Sequence, residues 1–480
     1  FAPVRRRSFP QIRDNQKVQK GCPRSAEAKN RFMTHSFPGG IRRFGKSEWD
    51  SSAAAELQHS PFAAYEMPEA DGERCIPSVS EGDLVLRGQI IGRSGGDKLV
   101  PVLSAVSGRV EAVSKAGTVI IRSDGEMREE EPLSPLREEI MRVSPQELIG
   151  IIRDAAIPES GSDRLALARF LDRNAGKLRD VFLNCAEPDP GSCTFSYLAE
   201  SFPEEIAGGF KILLRILGIG KGTVLLPAED FSKSPLRSAV RNSRILRAER
   251  IKGSYPACNP RLIVPQLTGK GGFMGRELSD DGCAVFTPDT CLAVYYACTC
   301  GQRQTDRLLT VAGDCVKKPA VLLVGIGTGC RDAAEKAGPR EVPLRLLSGF
   351  SPLSASESGR TGGAAVRRNT AVIYALSRRA CGEGEASGLS GLLRSLPDAC
   401  IGCGRCTDIC PVSLIPSRLY RYAELVGEEG MQEAFLRLDG VFCIGCGCCT
   451  YVCPSSLPLA RELSAARELI LKRAGEAGDA

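Results

Sequence analysis

The chain has 480 residues, too many for one compact core, with 42% hydrophobic and 25% charged residues and a net charge of +6. So mild a balance makes no case for a nucleic-acid partner, and no apolar run approaches the ~20 residues of a membrane-crossing helix. The 21 cysteines are odd in number and nine of them crowd into 400–453, which argues against a disulfide scaffold and for metal-binding thiols in a reducing, cytoplasmic setting.

Residues 1–36 are basic and irregular, without the apolar segment of a signal peptide. They read as a disordered arm, or as sequence preceding a true start at Met33, so whether 1–32 are genuine stays open. Region 37–130 alternates apolar with polar or small residues in "GDLVLRGQIIGRS" and "PVLSAVSGRVEAVSKAGTVII", separated by Gly-rich turns. This pattern resembles the barrel-sandwich hybrid of biotinyl and lipoyl domains. Lys98 falls near where a lipoyl-type lysine would stand, but an ordinary hairpin lysine is the preferred reading.

After the acidic linker "DGEMREEEPLSP" the period changes. Ser144 caps an amphipathic helix, with Glu147 completing a capping box. "DVFLNCAE" and "GTVLLPAED" read as buried strands, and the helix between them places Ile206, Phe210, Leu213, Leu214 and Leu217 on one face. Strand, helix, strand predicts a Rossmann-like parallel α/β core over 143–305. "GIGKGT" (218–223) leaves a helix and enters a strand, the reverse of a phosphate loop, so it is expected to be a helix C-cap and turn. Two strands around a Lys-Pro turn are expected in 306–350, a small β-rich module, and 351–395 is expected to be a connector.

Region 396–470 carries the chemistry. Cys400, Cys403, Cys406 and Cys410 precede Pro411, and Cys443, Cys446, Cys449 and Cys453 precede Pro454. Both runs have the C-x2-C-x2-C-x3-C-P spacing of two-cluster ferredoxins, in which the fourth cysteine of each run serves the other cluster. Two [4Fe–4S] clusters are therefore expected, one on Cys400, Cys403, Cys406 and Cys453, the other on Cys443, Cys446, Cys449 and Cys410. Zinc would need only four ligands, usually as separated pairs. Cys448 is off the spacing and reads as a core or surface thiol. Helices are expected between and after the runs, so the fold class is multidomain α/β ending in a helical 2[4Fe–4S] ferredoxin-type domain.

"FPGGI", the strands of 76–122, "FLNCAEPDPG", "LLTVAGDCVKKP" and the paired cysteine runs together resemble RnfC, a component of the Rnf ion-translocating electron-transport complex, in the same order over 37–465. Relatives of that family include the flavoprotein subunit of respiratory complex I and a cobalamin reductase. The resemblance implies a peripheral protein on the cytoplasmic face of the cell membrane. It also implies partners among the membrane subunits of an Rnf-type complex and a ferredoxin-like iron–sulfur partner, and electrons exchanged with NADH through FMN. It makes 306–350 a β-grasp module of the soluble-ligand-binding (SLBB) type. It carries FMN contacts onto Asn184, Glu187, Asp189 and Gly191 of "NCAEPDPG". The chain departs from the family where a glycine-rich run should follow the first helix: "IPESGSDRLALARF" offers only Gly161, with Glu159 and Asp163 adding negative charge. Arg42 and Arg43 replace a His-Pro pair after "GGI". Three readings follow: an NADH/FMN-linked redox subunit, a flavin-free iron–sulfur relay or docking module, and a cobalamin-reductase-like soluble enzyme.

Overall fold

The computed structural model describes residues 34–478 apart from 36, 44–48, 52–53, 55, 135–139, 141, 270–275, 344, 352–364, 378–398 and 424–429. Of the expected disordered arm of 1–36, residues 1–33 and 36 lie outside the described residues, as does most of the expected connector, and Thr34–His35 are not disordered but form a strand of a parallel sheet.

The β-rich region begins at Phe62. Strands Phe62–Tyr65, Leu84–Val85, Gly108–Val113 and Val119–Ser123 form an antiparallel sheet, and Ile76–Pro77, Ile90–Arg93 and Val102–Leu103 form a smaller one. The alternation read from the sequence places Val85, Ile91, Val110, Val119 and Ile121 inward, each buried in one cluster. Lys98 is held in an ion pair with Asp71, the contact of an ordinary surface lysine.

Next comes a five-stranded, wholly parallel sheet in the order Thr34–His35, Leu246–Ile251, Gly222–Pro227, Asp180–Asn184 and Cys283–Phe286. Helices Pro145–Asp154, Pro203–Leu217 and Pro288–Cys300 pack together beside it in one apolar cluster. Ser144 accepts the Glu147 N–H at 3.2 Å, as its capping position requires. Ile206, Phe210, Leu213, Leu214 and Leu217 are all fully buried, and each such side chain contributes roughly 2 kcal/mol of burial. Gly209 lets this helix press on Pro288–Cys300; a Cβ there would come 1.8 Å from the Cys291 carbonyl oxygen. Gly218 ends the helix with φ 71°, confirming the expected C-cap rather than a phosphate loop.

A second five-stranded sheet runs Arg345–Gly349, Val372–Leu376, Asp306–Ala312, Ala320–Gly325 and Leu57–Gln58. The hairpin around Lys318–Pro319 is as expected. Two findings depart from the sequence reading. The stretch expected as a connector supplies Val372–Leu376, a fully buried strand flanked by partners on both sides. Residues 34–58 give strands to both five-stranded sheets before the β-rich region starts. A two-residue strand has too little length to show a period, and a five-residue apolar run inside Gly- and Arg-rich sequence carries no helix-or-strand signal of its own.

The C-terminal region is helical, with Pro416–Ala423, Met431–Arg437 and Leu459–Gly478 around Leu419, Phe435, Leu463, Ala466 and Ile470. Among the described residues no helix is long and apolar enough to cross a membrane.

Candidate iron–sulfur centre

The two cysteine runs fold alike. In the first, Gly402 and Gly404 have φ of 69° and 76°; in the second, Gly445 and Gly447 have 66° and 79°. These left-handed values are why the spacers between cysteines are glycine, since a Cβ is strained there. Each turn then enters a one-turn helix, Arg405–Asp408 or Cys448–Tyr451, which carries the third cysteine inward.

The fold brings the cysteines together across the runs. Cys400, Cys403, Cys406 and Cys453, with Pro454, line one hollow. Cys410, Cys443, Cys446 and Cys449, with Pro411, line a second. Among the described residues no three His, Cys, Asp or Glu side chains converge as one metal ion would require. Four thiols spread around a hollow suit a cubane, whose iron atoms stand at separate corners. Burial keeps three of these thiols protonated until something binds. It raises the Cys443 thiol to about 12 and lifts Cys410 and Cys449 as well, so a bound cation must displace these protons. The Leu414 N–H donates to Cys410 Sγ at 3.3 Å, the kind of contact that steadies a thiolate. Cys448 is fully buried against Cys446 and also lines the second hollow.

The two hollows differ in setting. Cys400 and Cys403 are exposed, and Ile401 between them is 71% exposed. The second set is buried except for half-buried Cys446, and it abuts the parallel-sheet domain. Tyr255 donates its hydroxyl to the Cys446 carbonyl at 2.7 Å. The "FPGGI" segment runs beside it. Ile41 and Tyr255 exchange backbone bonds of 2.9 Å in both directions, and the Gly40 N–H donates to the Ile409 carbonyl at 2.9 Å. Gly39, at φ 57°, leaves no room for a Cβ, which would lie 2.3 Å from the Ile409 oxygen. Lys252 closes the segment by donating to the Phe37 and Gly39 carbonyls, both at 2.8 Å. Tyr255 and Lys252 carry no signal in the sequence; they act through contacts made only when the chain is folded.

The segment expected to touch FMN is spent on internal bonds. Asn184 donates to the Ala257 carbonyl at 2.9 Å and accepts the Ala186 N–H at 3.0 Å. Both Glu187 oxygens cap the helix Thr194–Ser201, accepting the Phe195 and Ser196 N–H groups at 3.2 and 2.7 Å, and Ser192 adds a bond of 2.8 Å. Arg43 lies 3.7 Å from Glu187 and 3.1 Å from Asp230. Asp189 is fully buried and accepts hydroxyls from Tyr374 and Ser351. A Cβ on Gly191 would meet the Tyr374 hydroxyl at 2.4 Å, and one on Gly161 the Phe350 ring at 3.5 Å. Ser160 is bonded to Thr290 at 2.9 Å and to the Thr287 N–H at 3.2 Å. Glu159 is a half-buried carboxyl raised to about 7, by burial first and by Glu277 second. A flavin needs an open face beside glycine backbone and cations for its phosphate. Among the described residues, Tyr374 crowds the face of Gly191 and Glu159 puts an acid in the loop, and these do not fit a flavin.

Family models match three regions of the chain. The family described as the RnfC barrel sandwich hybrid domain matches residues 35–126, the Nuo51 FMN-binding domain matches 152–296, and the 4Fe-4S dicluster domain matches 399–457. The C subunit of the proton-translocating ferredoxin:NAD(+) oxidoreductase complex of Clostridium ljungdahlii is 26% identical over 400 residues, covering 81% of this chain and 84% of its own. The C subunit of the ion-translocating oxidoreductase complex of Rhodobacter capsulatus is 29% identical over 407 residues, covering 81% and 75%. That of Pseudomonas aeruginosa is 30% identical over 416 residues, covering 83% of this chain and 51% of that protein. A chain of a solved NAD+-reducing [NiFe]-hydrogenase covers 71% of this one, which spans 65% of it, at 15% identity and a TM-score of 0.47, too loose to carry an argument. The chain is a homologue of RnfC, the C subunit of the Rnf-type ion-translocating oxidoreductases.

Proposed function

We propose that the chain is the iron–sulfur electron-transfer subunit of an Rnf-type ion-translocating ferredoxin:NAD oxidoreductase, held peripherally at the cytoplasmic face of a membrane by partner subunits. The observation that carries this is the pairing of Cys453 with the first run and of Cys410 with the second around two separate hollows. Cys400, Cys403, Cys406 and Cys453 would hold one [4Fe–4S] cluster, and Cys443, Cys446, Cys449 and Cys410 the other. Such clusters, when bound, accept and release single electrons. The protein's own work is to position the thiols with left-handed glycines, to bury the second set, and to leave the first at the surface within reach of a ferredoxin-like partner.

Within this reading the chain carries no flavin of its own. Support comes from Tyr374, which crowds the face of Gly191, and from Glu159, which puts an acid in the loop. NADH oxidation would then belong to another protein of the complex. The sheet containing Val372–Leu376 is read as the β-grasp module of the SLBB type, and the parallel sheet as a Rossmann-like layer that has kept its architecture without its cofactor.

The test is anaerobic reconstitution followed by iron analysis, low-temperature paramagnetic resonance and a heat-release assay for flavin. Cys453→Ser and Cys400→Ser should abolish the same signal, and Cys410→Ser the other. Loss of one signal by both Cys400→Ser and Cys410→Ser would overturn the crossed ligand sets. Yellow supernatant stoichiometric with the chain would overturn the flavin-free assignment.

A further inference from the structure

A cavity of about 420 Å³ lies between the β-rich region and the second five-stranded sheet, away from both cysteine hollows. That volume is in the range of small-molecule sites. One wall is apolar, from Met67, Val102, Leu103 and Ile326. The rest carries charge, from Glu66, Glu69 and Asp163 and from Arg164, Arg367 and Arg368. Asp163 is paired with Arg164 at 3.3 Å and with Arg367 at 3.3 Å. Glu66 is paired with Arg367, and Glu69 lies 3.9 Å from Arg74. Arg367 thus serves two of these carboxylates and Arg74, from outside the wall, the third, while Arg368 makes no ion pair among the described residues.

Arg368 is 7% exposed, and its Nε is shut off from solvent with no hydrogen-bond partner among the described residues. Among the groups acting on its charge, Asp163 is the one carboxylate and is already doubly paired. Burial lowers the guanidinium to about 10, so it stays charged at neutral pH. A buried, unpaired charge destabilises a fold unless something supplies the counter-charge.

We propose that this cavity binds a small amphipathic anion, with one carboxylate or phosphate group against Arg368 and its apolar body against Met67, Val102, Leu103 and Ile326. The fork of guanidinium donors suits either oxyanion. Nothing in the electron-transfer reading requires this site, so the two stand or fall separately.

The test is calorimetric titration of the full, cluster-loaded chain with hexanoate, with inorganic phosphate, and with hexanamide as the neutral counterpart. Hexanoate or phosphate should bind, identifying the carboxylate or the phosphate class, and hexanamide should bind at least about tenfold more weakly than hexanoate. Arg368→Gln should lower affinity for the binding anion by about tenfold or more, leave iron content unchanged, and melt no lower than the parent chain when ligand is absent. A merely structural arginine would instead melt lower on substitution. Thr118→Trp, at the cavity wall, should block hexanoate while leaving Arg368 in place. Failure of both anions to bind the parent chain, equal binding of hexanamide and hexanoate, or undiminished binding by Arg368→Gln would each overturn the proposal.

Discussion

Replacing Tyr374 by Phe isolates one hydroxyl in the seal over the flavin-type segment. The ring is 1% exposed and fully packed, so the substitution leaves no cavity. The hydroxyl donates to Asp189 Oδ1 and accepts the Gly191 N–H at 3.0 Å. Burial, and then the charge of Asp189, hold the phenol well above its ordinary pKa, so it remains a donor at any working pH. After substitution Gly191 keeps its bond to Asp189 Oδ1 at 3.1 Å, and Ser351 stays 3.3 Å from Oδ2. The net loss is therefore one hydrogen bond to a buried carboxylate, about 2 kcal/mol. Urea unfolding followed by the fluorescence of Trp49, the single tryptophan, should show the midpoint falling by several tenths molar. An unfolding free energy unchanged within about 0.5 kcal/mol would refute the view that this hydroxyl secures Asp189.

Three further outcomes are expected. Cys448→Ala should leave both paramagnetic signals in place, because Cys448 lies off the ligand spacing; loss of the second signal in resonance spectra would make it a ligand. Gly209→Ala should cost about 1–3 kcal/mol in thermal unfolding, since its Cβ must push back the Cys291 carbonyl. Glu159 has a folded pKa of about 7 against about 4.3 unfolded, so its protonated form favours folding below the lower value, and that favour fades as pH rises through 7. Glu159→Gln should thus melt higher than the parent at pH 8, by on the order of 1 kcal/mol, with the gap closing near pH 4.5.

Features with a local cause are legible in the residues. The cysteine spacing, the glycines between, the Phe210-bearing helix face, the Gly218 cap and the Lys-Pro turn are each set by geometry within a few neighbours. The strand Val372–Leu376 escapes such a reading because five apolar residues among glycines and arginines have no period to show. Tyr374 reaches Asp189 across 185 residues, and Arg368 owes its isolation to a cavity wall assembled from three regions. Neither follows from spacing. The loop at 159–163 is visibly glycine-poor in the sequence, but the contact of Tyr374 with Gly191 appears only in the fold.

The clamp formed by Gly40, Ile41 and Tyr255 on Ile409 and Cys446 has a mechanical consequence. A carrier that must swing between donor and acceptor slows when the medium thickens. Here the inner thiol set is bolted to the body of the protein, so the hop distance is built in, and turnover through this stretch should stay indifferent to added glycerol.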